Sequence, residues 1–86
     1  MKLFYCPMCS DVVRLIVEEK RFCKCGKSFG QYEKDGLNAT ISKRAIPIGF
    51  SNHSFVEALK SKPSPEHGTR FEAFVISKEA STIKIK

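Results

Sequence analysis

Short runs of alternating apolar and polar residues cover most of this chain, and they predict strands far more often than helix. Lys2-Leu3-Phe4-Tyr5 is a brief apolar lead. Val12 to Val17 is rich in β-branched side chains and reads as a strand, followed by a turn and a second strand reaching Cys23. Asp35-Gly36 separates two further runs and signals a hairpin, because glycine supplies the positive φ of a tight turn. The return run places Leu37, Ala39 and Ile41 on one face. Together these runs predict a sheet of about four strands by residue 42.

The pattern breaks at Lys43-Arg44. Ala45 to Phe50 is apolar but carries Pro47 and Gly49. Proline cannot donate to a ladder, so the stretch reads as an edge strand or an ordered loop crossing the core. Ser51 or Ser54 opens the one helical pattern, and Ser54 with Glu57 forms an S-x-x-E capping box. The helix carries Phe55, Val56 and Leu59 on one face and ends near Lys62, ahead of Pro63. About two turns cannot stand alone, so it must dock on the sheet. Arg70 to Ser77 is a strand with apolar residues on both faces, which predicts cover on both sides, beneath the helix or in a homodimer. Thr82 to Lys86 alternates once more, with Ile83 and Ile85 inward. Phe55 and Leu59 are expected to pack on Phe71 or Phe74 in one core with the N-terminal strands. The expected class is small α+β, mostly β, with antiparallel C-terminal strands.

At 86 residues the chain fits one small domain, and a core of that size commonly leans on a metal or on disulfides. A hydrophobic content of 42% argues against disorder. No apolar run approaches the ~20 residues of a membrane span, and residues 1–5 are too few for a signal-peptide core, so a cytoplasmic protein is expected.

All four cysteines lie in one stretch, Cys6-Pro7-Met8-Cys9 to Cys23-Lys24-Cys25-Gly26, as a C-x-x-C and a C-x-C separated by thirteen residues. A hairpin between the pairs brings four thiolates to one tetrahedron, the geometry and ligand type that zinc takes. Two disulfides and a thioredoxin-type dithiol are the alternatives. The absence of a secretory signal and the strand-like residues after the first pair weigh against them. Four sulfurs suit iron as well as zinc, and zinc is the default for a structural site.

C-P-x-C at Cys6–Cys9 and C-x-C-G at Cys23–Gly26 resemble the rubredoxin-like knuckles of the zinc-ribbon family, over about residues 3–34. The second knuckle is one residue shorter than the usual C-x-x-C, and Ser10 stands where the first usually has glycine. The resemblance implies a metal-stabilised β fold for residues 1–42, continued by the helix and strands of 43–86. It implies no particular partner. Small free-standing zinc ribbons of bacteria and phages look most alike.

The formal charge of +6 and a pI near 9.3 raise nucleic acid as a partner. Four thiolates and one Zn²⁺ remove two charges, leaving +4. The basic residues are spread along the chain; Arg21, Lys24, Lys27 and Lys34 interleave with Phe22, Phe29 and Tyr32 around the second pair, a surface able to stack a single strand. His53 and His67, the only histidines, lack a positioned carboxylate partner and read as surface or cap residues. Asn52 and His53 at the helix start could line an anion site. The sequence therefore reads as a non-catalytic module holding one Zn²⁺ on Cys6, Cys9, Cys23 and Cys25. Its first role is protein-interaction adaptor; its alternative role is single-strand nucleic-acid binding.

Overall fold

The computed structural model describes residues 1–61 and 66–86. Its strands are β1 (Lys2–Tyr5), β2 (Val12–Arg14), β3 (Arg21–Phe22), β4 (Phe29–Tyr32), β5 (Ala39–Ile41), β6 (Ile46–Phe50), β7 (Ala73–Val75) and β8 (Ile83–Ile85), with one helix, α1 (Asn52–Lys60), after β6. They form two four-stranded sheets, ordered β2-β1-β6-β7 and β3-β4-β5-β8. The small, mostly β α+β class holds. The single sheet expected for residues 1–42 is instead split: β1 and β2 lie in the first sheet, β3 to β5 in the second. The strand read over Val12–Val17 stops at Arg14, and the chain then crosses through Leu15, which is buried at 2% exposure. β8 runs parallel to β5, where antiparallel pairing was expected, because the chain returns from the first sheet before joining the second.

The core lies between the sheets. Phe4 and Val13 from the first sheet meet Leu15, Ala39, Ile41 and Ile83, and two cysteines, Cys6 and Cys23, belong to the same cluster. The sheets approach closely at Gly30, where an added Cβ would stand 2.8 Å from Leu15 Cδ2 and 3.0 Å from Phe4 Cδ1. Glycine is therefore required there by space. The Asp35-Gly36 turn joins β4 to β5 as expected, with Gly36 at φ 65° and Asp35 accepting from the backbone of Leu37 and Asn38. Ala39 and Ile41 are buried, whereas Leu37 precedes the strand and is exposed; Ile83 is buried and Ile85 is 41% exposed at the sheet margin.

Four expectations about residues 45–76 change. β6 is a central strand, between β1 and β7. Pro47 keeps its acceptor role, its carbonyl accepting from Ile76 N–H. The N and O of a strand residue point to one side, so the ring falls where β7 has already ended at Val75. Among the described residues β7 is an exposed edge that nothing covers: Phe74 is 51% and Val75 73% exposed. α1 is capped by Ser51, whose hydroxyl accepts from Ser54 N–H, while Ser54 Oγ accepts from Glu72 N–H and so makes no capping box with Glu57. The helix buries no residue; Phe55 packs edge-on against Phe71 (4.9 Å between centroids) and both touch Phe50, but Leu59 remains 67% exposed. Helix termination by Pro63 concerns a position outside the described residues; α1 itself ends at Lys60 with Ser61 N–H bonded to Ala58 O.

Candidate metal centre

The two cysteine pairs sit at the tips of two hairpins, one from each sheet. Cys6–Cys9 forms the β1–β2 turn and Cys23–Cys25 the β3–β4 turn. The first turn is closed by Ser10 N–H to Cys6 O (2.7 Å) and Cys6 N–H to Asp11 O (2.9 Å). The second is closed by Gly26 N–H to Cys23 O (3.0 Å) and Cys23 N–H to Ser28 O (3.1 Å). In each, the residue after the second cysteine turns left-handed: Ser10 at φ 61° and Gly26 at φ 75°. Ser10 thus takes the conformation its glycine counterpart would take, held by Tyr5 Oη–H to Ser10 Oγ (3.2 Å). The Lys24 N–H donates to Asp11 Oδ2 (3.0 Å) and ties the two tips together.

The four Sγ atoms lie within 4.8 Å of one another. Cys23 and Cys25 sulfurs are 3.4 Å apart, Cys6 and Cys25 sulfurs 3.8 Å. Ligands of one tetrahedral zinc, at about 2.3 Å from the metal, stand about 3.8 Å from each other. All four cysteines are free thiols. Cys6 and Cys23 are buried, Cys9 is half-buried and Cys25 is exposed, so the cluster bridges the core and the surface.

The surroundings favour negative sulfur. The Ser28 hydroxyl holds the Cys6 thiol below its ordinary value, helped against burial by the N–H groups of Cys9 and Met8. Ser28 Oγ is fully buried and bonds no neutral group with full hydrogen-bond geometry, so a Cys6 thiolate is the acceptor its hydroxyl would serve. Burial raises the Cys23 thiol, but the Ser28 N–H, which donates to Cys23 Sγ at 3.4 Å, and the neighbouring thiols bring it down to about 6. At Cys25 the Lys27 N–H lowers the thiol, yet the Cys23 sulfur and burial outweigh it and push it up to about 12. Amide donors, an orphaned hydroxyl and four soft ligands fit one divalent thiophilic ion.

The remaining candidates lie apart from this centre. His53 is exposed on α1, and the Asn52 side-chain oxygen accepts from the N-terminal ammonium (3.1 Å), which gives the anion-site expectation no support. His67 is exposed and lies 3.8 Å from Glu66. Lys24 and Lys27 are exposed on the second knuckle, and Phe22 and Phe29 are neighbours across β3 and β4. Tyr32 departs from that surface: it packs against the core and its Oη accepts from Lys2 N–H (2.6 Å). Sequence reading missed Lys84 and Lys86, which the parallel return of β8 brings to the second sheet. No helix among the described residues is long and apolar enough to cross a membrane. No family model matches the chain, and neither curated proteins nor solved structures include a significant match.

Proposed function

We propose that this is a non-catalytic, zinc-ribbon-like module that acts in the cytoplasm as a protein-interaction adaptor. One Zn²⁺ on Cys6, Cys9, Cys23 and Cys25 pins the hairpin tips of both sheets and leaves the other end of the first sheet free to bind. Four reduced thiols agree with a reducing compartment.

The observation that carries the adaptor reading is the outer edge of β7. Ile76 N–H reaches Pro47 O, and Ser51 N–H reaches Glu72 O. The even-numbered residues therefore bond β6, and the backbone groups of Ala73 and Val75 face outward. Exposed Phe74 and Val75 lie on that strand, and exposed Phe71 lies just before it. An extended apolar segment of a partner protein fits such a surface by strand addition, with main-chain bonds for affinity and apolar side chains for specificity. A photo-crosslinking residue at Val75 tests this. It should trap one defined protein, and that protein, once purified, should bind the wild-type chain and not Val75→Pro, which blocks the edge. Binding unchanged by Val75→Pro would overturn the reading.

A further inference from the structure

The second sheet turns an unexpected face to solvent. Gly30, Ala39, Ile41 and Ile83 point inward and are buried. The alternating positions point outward: Phe29 and Gln31 on β4, Thr40 on β5 and Lys84 on β8. Gln31, Thr40 and Lys84 are register partners in one row across three strands. In the next row Phe22 lies opposite Phe29, with ring centroids 5.9 Å apart and planes tilted by 54°. Phe22 is 55% exposed. The Lys20 ammonium stands 4.6 Å from the centre of the Phe29 ring, and Lys86, bonded through its N–H to Ile41 O, closes the far side. Lys20, Phe29, Gln31, Thr40, Lys84 and Lys86 line a cleft of about 360 Å³, and Phe22 stands beside it against Phe29. The one acidic side chain among its described lining residues, Glu33, already accepts from Thr40 Oγ1 at 2.8 Å.

We infer that this face binds single-stranded nucleic acid, with bases on Phe22 and Phe29 and phosphates on Lys20, Lys84 and Lys86. Two rings on the solvent side of a sheet have no core to fill. Three lysines around them, against one occupied carboxylate, select a polyanion over an acidic-poor or apolar partner. A polyanion with flat apolar faces satisfies both halves of the site. In a duplex those faces are already stacked, so an unpaired strand is the form that can use the rings. Gln31 and Thr40 between the rings and Lys84 offer hydrogen bonds to base edges. The face shares no residue with the β7 edge, so its failure and the failure of the adaptor reading are separate results.

Fluorescence anisotropy of the full, zinc-loaded chain tests the inference, with labelled oligo(dT), oligo(U) and a duplex of the same length as probes. Single strands should bind more tightly than the duplex. Contacts to three phosphates predict a slope of about −2 in log affinity against log salt, a loss of roughly 20-fold between about 50 and about 200 mM. Lys84→Ala and Lys86→Ala should each flatten that slope by about 0.7. Phe22→Ala should weaken binding by about 5-fold or more with zinc content and thermal transition unchanged. A preference for oligo(U) or oligo(dT) would assign the strand as RNA or DNA, and either supports the site. No binding at low salt overturns it. Equal binding of duplex and single strand, indifferent to Phe22→Ala, also overturns it, since that is plain electrostatic adhesion.

Discussion

Around the cysteines, Phe4, Leu15 and Ile41 are withdrawn from water; around α1 and β7, Val56, Leu59, Phe74 and Val75 remain in it. The two regions draw on the same kinds of side chain. They differ in what holds their strands. Near the cysteines, two hairpins from different sheets are tied at their tips, so apolar residues between the sheets have a fixed space to fill. At the other end, among the described residues, β7 has a neighbour on one side only, and α1 is attached through three aromatic rings and the Glu72 N–H to Ser54 Oγ bond without burying a residue. The contrast shows that large apolar residues make a core only where something closes it. Where nothing does, they make a surface that awaits a partner.

The largest effect should come from breaking the tied end. Cys9→Ser or Cys25→Ser leaves three sulfurs for the ion. The free energy of metal binding, about 10–16 kcal/mol in structural zinc peptides, is largely folding free energy. Calorimetry should show loss of the cooperative transition or a sharply lowered Tm, and chelation with confirmed metal loss should do the same. Cleavage at Lys43-Arg44 should release no folded fragment, because β1 pairs with β6 and β5 with β8 across that point. A stable metal-bound piece ending there, detected by native mass spectrometry, would show residues 1–43 to be independent.

The next effect compares one phenylalanine from each end. Phe4 is fully buried between the sheets, so Phe4→Ala should cost about 3–5 kcal/mol in chemical denaturation. Phe74 is half exposed over Gly49, so Phe74→Ala should cost only about 1–2 kcal/mol. Equal losses would mean that the β7 end is closed in solution, by a second copy or another chain.

Much of this was legible before any coordinates, and the legible parts share a cause. The cysteine spacing, the Asp35-Gly36 turn and the alternation of β5 are local signals that few tertiary contexts override, whereas Lys2–Tyr5 reads as no more than an apolar lead and is strand β1. What could not be read depended on register or on crossing between sheets. Pro47 looks like an edge residue until its ring is seen to fall beyond the end of β7. Arg70–Ser77 looks like a covered strand because its apolar residues report on both faces, without reporting whether a neighbour exists. Lys84 and Lys86 join the Phe29 face only because β8 returns parallel to β5, a pairing no short motif announces.

The smallest expected effect compares the two knuckles. Gly26 is left-handed with nothing within 4 Å of an added Cβ, so Gly26→Ala introduces backbone strain alone, about 1 kcal/mol. Ser10→Gly relieves similar strain but loses the Tyr5 hydrogen bond and loosens the unfolded chain, so its net change should stay below about 0.5 kcal/mol. Matched urea titrations of the zinc-loaded variants resolve the difference.

Elemental analysis of protein purified without added metal tests the tied end most directly. Four sulfurs within 4.8 Å, a shared core on both sides and amide donors facing the thiolates predict one zinc per chain. One iron per chain, or a metal-free protein with oxidised cysteines and an unchanged fold, would contradict it.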